Sequence, residues 1–437
     1  MTIGIELAGA YVPRYRLEPT LAQALGCPSD IPLHAPDEDA LTLLWTALEQ
    51  LTDHAASSGP LILRSPAGEL EPRALVAYLA VAGRLTEPRS VLAMSPQTGA
   101  AGVIRAAAGH GSAIAALADQ ERPADLTAAP SSDCSIALRF GAPRAAEVLG
   151  VASLAVLSFD RWARMAADGP PDTRFVEETL VAGDGAELLG QLLAGARVAS
   201  GQLVGVVVSA AVGIRHHRLA KQWQVPRVWS PLGVERTAGR LAGATLLAAF
   251  ERLREAGPGA LLAVLELGWG GDGLLLRAGP EIGTAVRTLA DPPCGSYDYR
   301  RWLRAGADTP DTWTSPAKLR RETGNLLGLA ARRCASCRVV TFPVNESCEG
   351  CGSTDTSAFT LARRGTVVSH NLDRLFAAPE EVQMVVVDLD GGGRFFGQLV
   401  ADTSRWVVVG DRVRLALRLL HRGAGMPHYF WKVELDD

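Results

Sequence analysis

Lysine is nearly absent from this chain. Only Lys221, Lys318 and Lys432 occur, and arginine supplies the rest of the 43 basic residues. That bias is what GC-rich coding produces and has no functional content of its own. A basic excess is also missing. With 47 acidic residues the net charge is −4, which gives no electrostatic footprint for nucleic acid or an anionic membrane. No apolar run reaches the ~18–20 residues that cross a bilayer. The opening MTIGIELAGAYVP has no basic start and no cleavage site, so it is expected to be a first strand and not a signal peptide. Outside one cluster, cysteine is limited to Cys27, Cys134 and Cys294. Their scatter suits reduced thiols, and the expected location is cytoplasmic.

The cluster is Cys334-Ala-Ser-Cys337 followed by Cys348-Glu-Gly-Cys351. Two C-x2-C knuckles, each aiming two thiolates at one point, match a tetrahedral zinc site. Gly352 suits the turn after the second knuckle. Two disulfides are the other reading, and fit poorly in a chain with no mark of secretion. Four protein ligands leave no position for a catalytic water. The zinc is therefore expected to be structural, folding a segment too small for a core of its own.

With 48% hydrophobic and 21% charged residues over 437 positions, the chain has room for two or three globular domains. Up to about residue 280, apolar runs at 60–64, 90–94, 134–140, 203–209 and 261–267 read as buried strands. Amphipathic stretches at 37–56, 98–118, 175–198 and 237–255 read as helices between them. The second of these is almost all Ala, Gly and Ile, so burial on every side is expected. Alternation of this kind predicts an α/β layered fold. Residues 286–331 form a Pro- and aromatic-rich connector with a short helix over 316–332. The ribbon is expected at 332–364. Five β-type segments at 365–370, 382–389, 394–400, 412–420 and 429–435 follow, with a Gly391-Gly392-Gly393 hairpin turn. They predict a small barrel of OB type over 365–437.

A ribbon of this spacing, entered by a short helix and followed by GTVVSHNL and GDRVRLALRLL, resembles the zinc-ribbon/OB-fold proteins that partner thiolases. The N-terminal part resembles hydroxymethylglutaryl-CoA synthases of the thiolase superfamily. The residues concerned are IGIELAGAYVPRYR, Glu38-Asp39-Ala40, Arg174-Phe175, and residues 237–250 followed by LLAVLELGWGGDGLLL. The resemblance implies a five-layer fold of two similar halves, 1–150 and 151–285, a coenzyme A thioester as ligand, and oligomers built on the thiolase body.

The chemistry that this resemblance implies is missing from the sequence. A cysteine nucleophile is expected before the helix at 98–118, but Pro96 takes that position with Ser95 beside it. Ser95 is either a hydroxyl nucleophile or a helix cap. Residues 209–213, just after the strand at 203–208, hold no histidine, no asparagine lies in 232–237, and 65–69, just after 60–64, offers only the displaced Glu69. Cys134 reads as a buried inert thiol and Cys294 as a loop thiol. His216 and His217 begin a basic stretch in which Arg215, Arg218 and Lys221 are candidate contacts for CoA phosphates. The glycine-rich 268–273 is either a strand-pair turn or a backbone oxyanion contact.

The sequence therefore implies a degenerate thiolase fold. It would act as an accessory, non-catalytic acyl-CoA-handling component beside a thiolase-like catalytic protein, in a homo- or hetero-oligomer. The alternative is a CoA-dependent acyltransferase or synthase with a relocated or non-covalent site. A nucleic-acid module built on Arg412, Arg414, Arg418 and Arg422 beside Trp406, Tyr429, Phe430 and Trp431 is the third possibility, opposed by the overall acidity.

Overall fold

The computed structural model describes residues 3–25, 30–51, 59–65, 79, 91–95, 98–110, 112–120, 132–154, 181–210, 215–231, 241–268, 270–290, 296–297, 315–374, 382–423 and 426–436. Its centre is a mixed sheet with the same order twice. From one edge run Val91–Met94, Leu61–Arg64, Ile114–Asp119, Cys134–Phe140 and Ile3–Tyr11. From the other run Val228–Trp229, Leu203–Ala210, Leu261–Gly268, Gly270–Ala278 and Ala146–Leu154. Counted within its own half, each set has the order third, second, fourth, fifth, first. The two first strands meet antiparallel at the middle, Ile3 opposite Val148 and Ile5 opposite Ala146. The outer three strands of each half are parallel. Leu61–Arg64 and Leu203–Ala210 are covered almost throughout and read as continuous apolar runs, whereas Val91–Met94, expected to be buried, lies at the sheet edge with Leu92 and Ala93 exposed.

The helices follow the same repeat. Ala100–Ala108 and Ala242–Ala256 touch strands of both halves and touch each other, while Ala40–Glu49 and Gly185–Ala196 cover the outer faces.

Sequence and structure part at 98–118. The helix there stops at Ala108, and Ile114–Asp119 is a fully buried strand. Alanine favours helix in isolation, but Gly109 ends the helix and pairing on both sides holds the following run extended. Nor is that helix buried all round, since Arg105 is exposed. The helix expected over 316–332 also ends early, at Leu327, and Ala330–Cys334 begins the next sheet. The strand Ala146–Leu154 had no sequence signal, because its exposed and buried positions do not alternate.

Three antiparallel strands, Val340–Thr341, Ala330–Cys334 and Thr356–Thr360, build the cysteine-bearing unit. Five more follow in the order Arg394–Gln398, Val382–Leu389, Arg364–Asp373, Arg412–Gly423, Met426–Leu435. The two ends of this sheet meet where Leu399 bridges Val433 in parallel and the Val400 amide donates to the Val433 carbonyl at 3.0 Å. Gly391, Gly392 and Gly393 turn the hairpin with φ of 81°, 107° and 96°, values that glycine adopts without strain.

This C-terminal sheet sits on the outer helix Ala40–Glu49 through an acidic turn. Asp39 caps the helix, accepting from the Leu41 and Thr42 amides, and its other oxygen takes the Tyr429 hydroxyl at 2.5 Å. Asp37 receives Lys432 at 2.9 Å. Glu38 accepts from Tyr11 at 2.6 Å and lies 3.4 Å from Arg418. Arg418 is fully buried and also faces Glu434 at 3.6 Å and Asp402 at 3.8 Å. Trp45 meets Trp431 edge to face at 5.8 Å. The Arg363 guanidinium covers both rings and bonds Glu49. With the central sheet on one side and the C-terminal five-stranded sheet on the other, Ala40 to Leu48 are all buried. Among the described residues no helix is long and apolar enough to cross a membrane.

Asp37, Glu38, Asp39, Asp402 and Glu434 are all buried here, against the buried cations Arg418 and Lys432. Burial is the main cause that pushes Asp402 up to about 8, against the opposing pull of Arg418 and with Glu38, Glu434 and Asp37 adding to it. The folded protein therefore keeps a proton that the unfolded chain releases in the ordinary carboxylate range. Stability from this group is present at low pH and is lost as pH rises towards about 8. Denaturant unfolding followed from pH 5 to 9 should show that decline, and Asp402→Asn should flatten it. Arg418→Ala, which strands buried carboxylates, should cost about 3–5 kcal/mol in the same measurement.

Candidate functional site

Two places hold grouped chemistry: the thiols of the small three-stranded unit, and the inner ends of the paired central helices.

The Cys334, Cys337, Cys348 and Cys351 sulfurs all lie within 4.8 Å of one another. Cys334 and Cys351 are 3.6 Å apart, Cys337 and Cys348 3.4 Å. Cys334 ends a strand, and the turn after it is closed by the Arg338 amide bonding the Cys334 carbonyl. The second knuckle is closed in the same way, the Gly352 amide on the Cys348 carbonyl, with Gly352 at φ 73°. The amides of Cys337 and Ser336 help bring the Cys334 thiol down to about 6. The Val339 amide acts similarly on Cys337, but the hydrogen bond to Cys348 and burial outweigh it and push that thiol up to about 12. Four sulfurs so close share protons unless a cation takes their place. The cluster can hold one metal ion such as zinc, and the donor set is that of a closed, structural site.

The N-termini of the central helices contain no thiol. Gly99 begins Ala100–Ala108 and brings no capping side chain. In its place Glu266, from the strand Leu261–Gly268, accepts from the Ala100 amide at 2.6 Å. Glu266 is 2% exposed. The opposite half does the same. Leu241 begins Ala242–Ala256 without a side-chain cap, and Asp119 accepts from the Ala244 amide at 2.8 Å. Each carboxylate is the sixth residue of its half's fourth strand, and each caps the central helix of the other half. Negative charge is favoured at both ends by the helix dipole. Asp119 also pairs with Arg64, yet burial dominates and raises its carboxyl above the ordinary value. Around Glu266 a chain continues outward: Ser153 donates to Asp272 at 2.6 Å, and Arg105 donates to Ser153 at 2.9 Å.

Ser95 is exposed, just beyond the edge strand Val91–Met94. Pro96 lies outside the described residues, as do Glu69, Trp269, Cys27, Cys294 and residues 211–214 and 232–240. Cys134 is buried, 4.0 Å from Asp119, and its thiol is pushed well up, first by burial and then by the Asp119 charge. It is the inert thiol expected. Arg215, Arg218 and Lys221 all lie on the exposed side of the short helix His216–Gln222 and its start. His217 is exposed with them, whereas His216 turns to Ser230 at 2.7 Å. In the barrel, Arg412, Arg414 and Arg418 are engaged by Asp390, Glu434 and the acidic turn, so they do not form an open basic face. The capping carboxylates escaped the sequence reading. Their one signal is an acidic residue closing an apolar run, as in IAALAD and LLAVLELG.

If Glu266 and Asp119 are structural caps, removing the acceptor should act on stability. Glu266→Ala and Asp119→Ala should each cost about 1–3 kcal/mol, the penalty for an unsatisfied buried donor. Glu266→Gln, which keeps an oxygen for the Ala100 amide, should cost clearly less in the same urea titration.

No family model matches the sequence, and no curated protein matches it. Among solved structures, HMG-CoA synthase complexed with CoA aligns with a TM-score of 0.50 at 12% identity, over 66% of this chain and 85% of that one. A 3-oxoacyl-[acyl-carrier-protein] synthase III from Aquifex aeolicus VF5 gives 0.47 at 14% identity, over 63% and 99%. Together with the twofold repeat of strand order and helix placement, the likeness to HMG-CoA synthase gives this chain a thiolase-like α/β fold.

Proposed function

We propose that this chain is an accessory, non-catalytic acyl-CoA-handling component of a thiolase-type acyl-transfer or carbon–carbon bond-forming complex. The observation that carries the reading is the state of the central helix ends. A nucleophilic thiolate in this fold would draw on the dipole of such a helix. Here the sequence offers Ser95-Pro96 in place of a cysteine, and an internal carboxylate, Glu266, holds the amide end of Ala100–Ala108. CoA is expected through the exposed Arg215, Arg218 and Lys221, whose charges suit phosphates.

The remaining assignments belong to the same proposal. Residues 1–150 and 151–285 are the two thiolase-like halves, 286–331 the connector, 332–364 a zinc ribbon and 365–437 an OB barrel. The barrel assignment rests on five strands whose first and last members in the sheet order touch in parallel. The partner would be a thiolase-like catalytic protein or a second copy of this chain, in the cytoplasm. An edge strand with Leu92 40% exposed is the kind of surface on which sheets pair.

Intact mass after incubation with acetyl-CoA and acetoacetyl-CoA, with free CoA followed in parallel, tests the central claim. The expected result is CoA binding that weakens on Arg215→Ala/Arg218→Ala, with no covalent adduct and no CoA release. An acyl adduct at one residue would establish the alternative, an acyltransferase with a relocated nucleophile. For the ribbon, metal analysis should give one zinc per chain. Cys334→Ser should lose that zinc and open residues 332–364 to protease.

A further inference from the structure

We propose that His421 and His428 form a second metal site, on the barrel, for a divalent ion of the zinc–copper group. The two histidines stand directly opposite each other on neighbouring strands, Arg412–Gly423 and Met426–Leu435. The pairing slips by one residue between Leu419 and His421, and such a bulge re-aims the side chain that follows it. As a result Nδ1 of His428 lies 3.3 Å from Nε2 of His421, with the rings nearly perpendicular at 81°.

Two nitrogens bound to one tetrahedral zinc, each about 2.0–2.1 Å from it, stand about 3.3 Å apart. The spacing in this pair therefore already equals the edge of a coordination tetrahedron, and a small turn of each ring points both lone pairs at one site. Imidazole is the donor that zinc, copper and nickel share. The ring nitrogen that carries the proton at this contact gives it up on binding, to the other nitrogen of its ring or to solvent. Burial lowers the His421 pKa below its ordinary value, the direction that favours the neutral ring. With two ligands from the described residues, two coordination positions are left for water or another donor. In this the site differs from the closed four-sulfur cluster.

The position of the pair gives the metal a structural effect. Leu419, on one side, donates its amide to the Asp37 carbonyl at 2.8 Å. Tyr429, next to His428, bonds Asp39. An ion joining the two strands here stiffens the hairpin that seats the barrel on the body, and binding to the folded form raises thermal stability.

The test uses the full chain with its cysteine cluster already loaded with zinc. Calorimetric titration with further Zn2+ should show a second equivalent. His421→Ala and His428→Ala should each weaken it by at least ~10-fold, a loss no smaller than that from removing an outer-shell partner. His370→Ala, an exposed histidine on another barrel strand, should leave it unchanged. Each variant's retention of the first zinc and of its thermal midpoint reports that it is folded. In the wild type, long-range 1H–15N spectra should show two histidines shifting together as the second equivalent binds, so the result does not depend on the variants. Absence of a second equivalent, its persistence in both variants, or unmoved histidine nitrogens would overturn the proposal.

Discussion

A buried carboxylate needs a positive partner or a proton, and the acidic turn at 37–39 makes that requirement the anchor of the molecule. Asp39 starts the outer helix of the first half and at the same time receives Tyr429 from the barrel. Asp37 and Glu38 meet Lys432 and Arg418. One turn thus sets a helix on its sheet and a second unit on that helix. The small cysteine-bearing unit is placed in turn by its contact with the barrel. Phe395 stacks between Phe342 and Phe430, and Arg333 reaches the Gly391 carbonyl at 2.6 Å. An apolar seat of the same volume is often as stable or more so, so the charges serve register and orientation more than strength.

The reciprocal carboxylates at the central helices follow the same logic within the repeat. Glu266 and Asp119 occupy equivalent positions, and each crosses to the other half. Neither half can satisfy its own inner helix without the other. This interlock fixes the inner layer, and it puts a carboxyl group at the helix end where a thiolate of this fold would be stabilised.

The local features of the sequence were legible. The four cysteines declared their cluster through spacing alone, because a knuckle is built from neighbours. The inner parallel strands Leu61–Arg64 and Leu203–Ala210 declared themselves as apolar runs, because both faces are covered. What stayed hidden depends on partners far along the chain. The alanine-rich stretch from Ala113 to Ala118 carries no mark of strand, since pairing with Leu61–Arg64 and Cys134–Phe140 decides its conformation. Glu38-Asp39 looked like a family echo, and nothing near it announces Arg418 or Lys432. The basic residues of the barrel suggested an open binding face. In the fold three of them, Arg412, Arg414 and Arg418, are neutralised by acids from other strands or the acidic turn.

The 395 residues that separate Asp37 from Lys432 set an order of assembly. During synthesis the chain emerges from its N-terminal side, so the helix Ala40–Glu49 is made long before the strand that covers its outer face. Until Met426–Leu435 is released, Trp45 lacks Trp431, Asp37 lacks Lys432 and Asp39 lacks the Tyr429 hydroxyl. The unpaired carboxylates keep that surface hydrated and soluble while it waits, whereas a wholly apolar seat would be exposed as a sticky patch for the same interval. The strand Met426–Leu435, made hundreds of residues later, is the one that closes Ala40–Glu49 to water.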